Sequence, residues 1–184
     1  MEERGFLNIF YGDASGFSLD PSIPYGWQPK GKYTKIVPCK GKRLNVFGLL
    51  SRNNELEACY TTGTICSDFV VQMLDGFCEK ITQPTVVVID NASIHHSKKF
   101  KAKIQEWQEK DLYIFYLPTY SPHLNLIETL WRKIKYEWLK HTDYENFDTL
   151  TTAVENILLK VGTDININFN ELAHFTQFKL SIIK

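Results

Sequence analysis

Short apolar runs dominate the first third of the chain and predict extended structure. Four of them are separated by turn residues rather than by helical stretches, at residues 6–12, 33–39, 44–50 and 56–61. Runs of this length between turns are typical of antiparallel strands joined by short loops. We therefore expect the fold to begin with neighbouring antiparallel strands, and residues 13–16 to turn the chain at the end of the first one.

The rest of the chain alternates between helical periodicity and two further strands. Apolar side chains recur at helical spacing after Ser67, after Ser97, within residues 125–140 and after Phe147. Between these stretches lie two apolar runs, at residues 86–89 and 112–117. The resulting order, β-β-β-β-α-β-α-β-α, predicts an α/β fold with a mixed sheet and helices on both faces. A flavodoxin-like sheet would need a helix between the early strands, and the pattern contains none.

Three acidic side chains lie where one edge of this sheet is expected. Asp90 comes directly after the strand at residues 86–89, Asp13 follows the first strand, and Glu128 lies in the first turn of the helix within residues 125–140. Converging carboxylates raise one another's pKa unless a cation lies between them. A divalent metal ion is the cation that this arrangement predicts.

Each acid also has a simpler explanation. Glu128 could complete a capping box with Asn125 at the helix N-terminus, or pair with Arg132 one turn later. Asp13 and Asp90 could each do no more than fix the turn that follows a strand. These alternatives stay open for any one acid, whereas three independent turn residues are not expected to converge on one edge.

The composition is that of a globular chain without net charge. The sequence has 184 residues, of which 43% are hydrophobic, and its 21 basic and 21 acidic residues give a formal net charge of zero. No apolar run approaches the ~18 residues of a membrane span, and the acidic N-terminus differs from a secretory signal. We therefore expect a cytoplasmic protein without a membrane partner. The four cysteines lack metal-binding spacing, so we expect buried, reduced thiols.

The basic residues are clustered although the total is balanced. Residues 28–43 contain six basic residues and no acid, namely Lys30, Lys32, Lys35, Lys40, Lys42 and Arg43. Two further clusters follow the predicted acids, one with Lys98, Lys99, Lys101 and Lys103, the other with Arg132, Lys133 and Lys135. Basic patches beside an acidic centre suit a metal-dependent enzyme that acts on a phosphodiester backbone, although each cluster alone fits a solvated surface equally well.

Five motifs in order carry a family resemblance over residues 6–140. They are Gly12-Asp13-Ala14-Ser15, Gly26-Trp27-Gln28-Pro29-Lys30-Gly31, Asn45-Val46-Phe47-Gly48, Val88-Ile89-Asp90-Asn91-Ala92-Ser93-Ile94-His95, and the segment from Leu117 to Lys135 that contains Tyr120-Ser121-Pro122, Leu124-Asn125 and Ile127-Glu128. With these motifs the chain resembles the catalytic domain of DDE transposases of the mariner superfamily, in the branch carried by bacterial insertion sequences.

The resemblance implies a ribonuclease H-like fold in which Asp13, Asp90 and Glu128 are the catalytic carboxylates and hold two Mg²⁺ or Mn²⁺ ions. It implies cleavage of DNA at the ends of an element and transfer of the 3′-hydroxyl strand to target DNA. It also implies a homodimer on DNA, a separate N-terminal helix-turn-helix segment, and action in the cytoplasm at the nucleoid. We expect the catalytic domain to span residues 1–145 and a helical extension, residues 146–184, to pack on it.

Residues near the acids have predicted supporting roles. Asn91 is expected to orient Asp90 or a metal-bound water, or only to form the turn, and His95 to contact a phosphate or a bound water unless it is a surface or capping histidine. The expected DNA-binding residues are Lys30, Lys32, Lys42, Arg43, Lys98, Lys99, Tyr120, His123, Arg132 and Lys135. Two other functions stay open, a ribonuclease H-like nuclease without strand transfer and an inactive DNA-binding remnant of a transposase.

Overall fold

Five strands form one mixed sheet in the order β3-β2-β1-β4-β5. They are β1 (Asn8–Ser18), β2 (Arg43–Ser51), β3 (Leu56–Thr61), β4 (Thr85–Ile89) and β5 (Leu112–Tyr116). Both β1 and β3 pair antiparallel with β2, whereas β4 pairs parallel with β1 and with β5. The computed structural model describes residues 5–20, 30, 41–119 and 121–169, and the strand predicted at 33–39 lies outside them.

Within the described residues, four α-helices connect and follow these strands. They are α1 (Ser67–Cys78), α2 (Lys98–Glu109), α3 (Ile127–Lys133) and α4 (Phe147–Lys160), with short 3-10 turns at Ser93–His96, Pro122–Leu124 and His141–Tyr144. The single helix predicted within residues 125–140 is shorter than expected, because α3 passes into a π-helical turn over Ile134–Trp138. None of the helices in the described part of the chain is long and apolar enough to cross a membrane.

The two faces of the sheet have separate hydrophobic cores. On one face, α1 and α2 pack through Val70, Leu74, Phe100 and Trp107 against side chains of β1, β2, β4 and β5. On the other face, α3 and α4 pack through Leu130, Trp131, Leu150 and Val154 against β1 and β2. The mixed sheet with helices on both faces is therefore confirmed. The helix α4 shares the core of α3, and the predicted division into a domain of residues 1–145 and an extension of residues 146–184 stays a prediction.

The first strand differs from its prediction. It extends to Ser18 instead of ending at residue 12, so Asp13 lies in the middle of a strand and not in a turn. The segment around Asp13 contains glycine and serine beside the aspartate, and these residue types favour turns in isolation. Pairing with β2 overrides this local preference, because every residue from Phe10 to Ser18 has a partner there, with Asp13 opposite Gly48.

Gly48 allows α3 to approach the sheet closely at this point. A Cβ atom on Gly48 would lie 3.1 Å from side-chain atoms of both Ile127 and Trp131, which is tighter than ordinary van der Waals contact. The helix that carries Glu128 is therefore held close to the strand pair that carries Asp13.

The expectation of buried thiols is wrong for two cysteines, because Cys59 and Cys66 are exposed, whereas Cys78 is buried.

Candidate active site

Three carboxylates from separate elements line one cavity of about 440 Å³. Asp13 comes from the centre of β1, Asp90 directly follows β4, and Glu128 lies in the first turn of α3. Since β1 and β4 are parallel neighbours with Tyr11 opposite Val88, two further residues along each strand bring Asp13 level with Asp90. The sheet register and the packing of α3 thus assemble an acidic pocket from residues 115 positions apart in sequence (128 − 13).

The pKa of Asp13 is strongly raised in this pocket. Burial raises its pKa from 3.8 to about 7, and the negative charges of Glu128 and Asp90 act in the same direction. Such a shift means that the folded protein pays a penalty for ionising Asp13 while the other two acids are charged. A cation in the cavity would remove this penalty, as expected for carboxylates that ligate a metal.

Asp90 has the opposite electrostatic environment. A hydrogen bond from His95 holds the pKa of Asp90 below its ordinary value, and the backbone N–H of Ala92, 3.0 Å from its Oδ1, contributes in the same direction. The bond to Ala92 is the turn contact that a simple structural role predicts, so Asp90 fixes this turn as well as facing the cavity. Asp90 is therefore kept ionised beside an Asp13 that is easily protonated.

His95 is the buried support of Asp90. Its ring is only 2% exposed and lies against the rings of Phe47 and Phe100. Its Nδ1 lies 3.1 Å from Asp90 Oδ1 and 3.2 Å from the backbone carbonyl oxygen of Asp90. Because both atoms are acceptors, Nδ1 carries the proton and donates it. The alternative of a surface histidine is therefore wrong.

Asn91 contacts the neighbouring strand end. Its Nδ2 donates to the carbonyl oxygen of Leu117, and its Oδ1 lies 3.2 Å from Nε2 of His96, whose ring stacks on Tyr116. The amide thereby ties the loop after β4 to the end of β5. Its described hydrogen bonds do not include Asp90, so its predicted role as an orienting residue stays a prediction.

Glu128 has neither of its two simpler roles, the capping box with Asn125 and the ion pair with Arg132. The N-cap of α3 is Leu126, without a side-chain cap, and no ion pair joins Glu128 to Arg132 among the described residues. Asn125 instead donates through Nδ2 to the carbonyl oxygen of Gly12, at 3.1 Å. The carboxylate of Glu128 therefore remains available to the cavity.

The donor set of the cavity fits a hard divalent cation. Carboxylate oxygens are the preferred ligands of Mg²⁺ and Mn²⁺. Asn125 also lines the cavity, and its Oδ1 is buried without a hydrogen-bond partner in the described part of the chain, so it could accept from a metal-bound water. The described His, Cys, Asp and Glu side chains do not yet converge in any group of three close enough to hold one ion.

A second and larger cavity adjoins the acids. It has a volume of about 790 Å³, shares Glu128 and Asn125 with the acidic cavity, and is lined by the predicted DNA-binding residues His123, Arg132 and Lys135. Burial lowers the pKa of Lys135, and the charge of Arg43 adds to this effect. Two predicted basic residues, Arg43 and Lys135, thus lie close together beside the acids.

The other predicted DNA-binding residues lie elsewhere or outside the described residues. Lys99 forms an ion pair with Asp68 at 2.7 Å on the exposed surface of α1 and α2, and Lys98 is exposed beside it. Lys42 lies over the ring of Phe147 at 5.7 Å. Lys30 is exposed, whereas Lys32 and Tyr120 lie outside the described residues.

Among the residues that line the two cavities, the sequence pattern does not predict Asn125, Arg52 and Tyr136 as site residues. The pattern predicts Asn125 only as a helix cap, although its place in the last of the five motifs, three residues before Glu128, is a signal for the site. Arg52 and Tyr136 line the larger cavity. The signal for Tyr136 was its position eight residues after Glu128, which places both side chains on the same helical face.

Comparison with known proteins identifies the family. The sequence matches the family described as DDE superfamily endonuclease over residues 8–151. It is similar to an insertion element IS630 uncharacterized 39 kDa protein of Shigella sonnei, with 24% identity over 129 residues, which cover 68% of this chain and 37% of that protein. The chain thus spans about a third of the length of this curated relative.

Solved structures share the fold at low sequence identity. A complex of the Mos1 mariner paired ends with Mn has a TM-score of 0.59 at 11% identity, covering 93% of this chain and 52% of that one. The Mos1 strand transfer complex has a TM-score of 0.57 at 11% identity, covering 92% and 52%. The catalytic core domain of BIV integrase has a TM-score of 0.53 at 10% identity, covering 88% and 86%. These likenesses confirm the ribonuclease H-like fold.

The family match includes β1, β4 and α3, the three elements that carry the acidic cavity. The resemblance to DDE transposases predicted from the motifs is thereby confirmed. The chain belongs to the DDE superfamily endonuclease family.

Proposed function

We propose that this domain is the catalytic part of a DNA transposase, with Asp13, Asp90 and Glu128 as the ligands of two Mg²⁺ or Mn²⁺ ions. Bound there, the ions would supply Lewis-acid activation of the attacking hydroxyl and stabilisation of the leaving oxygen. The observation that carries the proposal is that three carboxylates line one cavity and that the pKa of Asp13 is raised to about 7. Repelling acids without counter-charge are costly, and a cation site explains why they lie together.

The protein's own side chains have distinct roles in this proposal. His95 holds Asp90 ionised and in one orientation, and Asn125 offers a buried oxygen to a water in the cavity. Arg132 and Lys135 lie on the same helical face as Glu128 and would neutralise DNA phosphates next to the reacting one. The reaction would cut the ends of a mobile element and join the freed 3′-hydroxyl to target DNA.

DNA is the proposed partner. The similar solved structures include Mos1 complexes described as a strand transfer complex and a paired end complex, and the curated relative is encoded by an insertion element. Processing of two element ends would need two copies of the domain, so a homodimer on DNA belongs to the proposal. A separate N-terminal helix-turn-helix segment and a location at the nucleoid in the cytoplasm are further parts of it.

Calorimetric titration with Mn²⁺, paired with plasmid nicking, tests the proposal. The unsubstituted domain should bind Mn²⁺ saturably and nick DNA. Asp13→Asn and Asp90→Asn should lose binding, and all three acid variants, including Glu128→Gln, should lose nicking. Asp148→Asn is the matched control, because Asp148 is an exposed acid in the first turn of α4 that lines neither cavity. Equal weak binding in every protein without nicking would refute a catalytic role and leave a DNA-binding remnant.

A nuclease without strand transfer is the second candidate, because the family is described by its endonuclease activity. It would use the same acids and cut DNA in the same assay. Insertion of a pre-cut 3′ end into a plasmid separates the two functions, since only a transposase joins strands. Nicking without any insertion, with the predicted DNA-binding segment supplied, would favour the nuclease.

A further inference from the structure

One face of α3 and of the π-helical turn after it runs from the acidic cavity into the larger one. Glu128, Arg132, Lys135 and Tyr136 all line the larger cavity. The last three follow Glu128 by four, seven and eight positions, which is the spacing of one helical face. A DNA strand with one phosphate at Glu128 would therefore pass two basic side chains and reach Tyr136.

Tyr136 has the properties of a contact residue rather than a packing residue. Its side chain is 54% exposed, and it makes no hydrogen bond or ring contact with another described residue. It lies within the π-helical turn Ile134–Trp138, a local structure found frequently at functional sites. Exposed aromatic rings beside basic side chains are how proteins hold single-stranded nucleic acid, because every base can stack on them.

We infer that Tyr136 stacks on an unpaired DNA base near the cleaved phosphate and so positions the strand. The inference rests on the proposed function, since it needs DNA with a phosphate at the acids. Along α3 and the π-helical turn, Tyr136 lies within roughly 12 Å of Glu128 measured on the helix axis, so the stacked base lies within a few nucleotides of that phosphate. The base must be unpaired, because a paired base is already stacked on its neighbours.

Fluorescence of 2-aminopurine tests this inference. The probe is a DNA duplex with a single-stranded extension that carries one 2-aminopurine at successive positions, and it is titrated with the protein in the Glu128→Gln background to prevent cutting. Stacking on Tyr136 should quench the emission at one or two neighbouring positions. Tyr136→Ala should remove the quenching and weaken binding about tenfold. Tyr136→Phe should retain both, because it keeps the ring.

Tyr113→Ala is the matched control, since Tyr113 is 40% exposed on the edge strand β5 and lines neither cavity. Its binding and quenching should equal those of the parent protein. In the otherwise unsubstituted domain, Tyr136→Ala should raise the DNA concentration needed for half-maximal nicking and leave the maximal rate within a few-fold.

Two results would overturn the inference without touching the proposed function. One is quenching that persists in Tyr136→Ala while the unsubstituted domain still nicks DNA. The other is an equal loss in Tyr136→Phe, which would assign the effect to the hydroxyl and not to the ring. Absence of both DNA binding and nicking in the unsubstituted domain would instead overturn the proposed function, and the inference with it.

Discussion

Asp13 should make the metal-free domain less stable as the pH rises through the weakly acidic range. Its pKa is 3.8 in an unfolded chain and about 7 in the fold, so the folded state keeps a proton that the unfolded state has released. Stability falls with pH wherever the folded state binds more protons, which here is between about pH 4 and pH 7. At about 1.4 kcal/mol for each pH unit, the loss is on the order of 4 kcal/mol.

Urea unfolding in EDTA at several pH values between 4 and 8 measures this loss. The difference between the unsubstituted domain and Asp13→Asn isolates Asp13, because the other titrating groups are common to both proteins. Asp90 does not contribute to the change in stability over this pH range. Its pKa is lowered in the fold, so the stability that it gives is lost only as the pH falls below the ordinary pKa of an aspartate. Saturating Mn²⁺ should abolish the fall in the unsubstituted domain and have no such effect in Asp13→Asn. Identical pH profiles of the two proteins in EDTA would refute the argument.

Five further substitutions, at four positions, have expected outcomes. His95→Asn keeps a donor near the position of Nδ1 and should retain Mn²⁺ affinity, whereas His95→Gln should weaken it about 10- to 100-fold in calorimetry. Gly48→Ala should destabilise the fold by about 1–3 kcal/mol in urea unfolding, because the new Cβ would lie only 3.1 Å from side chains of α3. Gly76→Ala should stabilise the fold by about 0.5–1 kcal/mol, because the space around its Cβ is open and alanine favours a helix over glycine. Arg132→Ala should lower the salt dependence of DNA binding by about one counterion.

Local sequence pattern was sufficient for two of the three acids. Asp90 follows four β-branched residues of β4, three of which are buried, and Glu128 lies in the first turn of a helix whose apolar spacing is preserved in the core. The position of Asp13 was not predictable in the same way, because its turn-like neighbours become strand only through pairing with β2, about 30 residues later. Non-local pairing is information that a local pattern does not contain.

The local sequence pattern also does not predict which single polar residues are buried. His95 and His96 are adjacent and equivalent in the sequence, yet the first is 2% exposed and the second is exposed. What separates them is the position of Phe47 on β2 and Phe100 on α2, whose rings cover His95. The π-helical turn after α3 was not predictable from the sequence either, because residues 134–138 continue the helical spacing of the residues before them.

The three carboxylates are held against their mutual repulsion by bonds from buried neighbours. Asn125, 4% exposed, links the strand of Asp13 to the start of α3 through the carbonyl oxygen of Gly12, so it limits how far Asp13 and Glu128 can separate. His95 holds Asp90, and the hydroxyl of Tyr116 donates to the carbonyl oxygen of His95 at 3.0 Å. Because these supports are independent of any cation, the backbone of the site is preorganised, and under the proposed function a cation would have only to draw the side chains together.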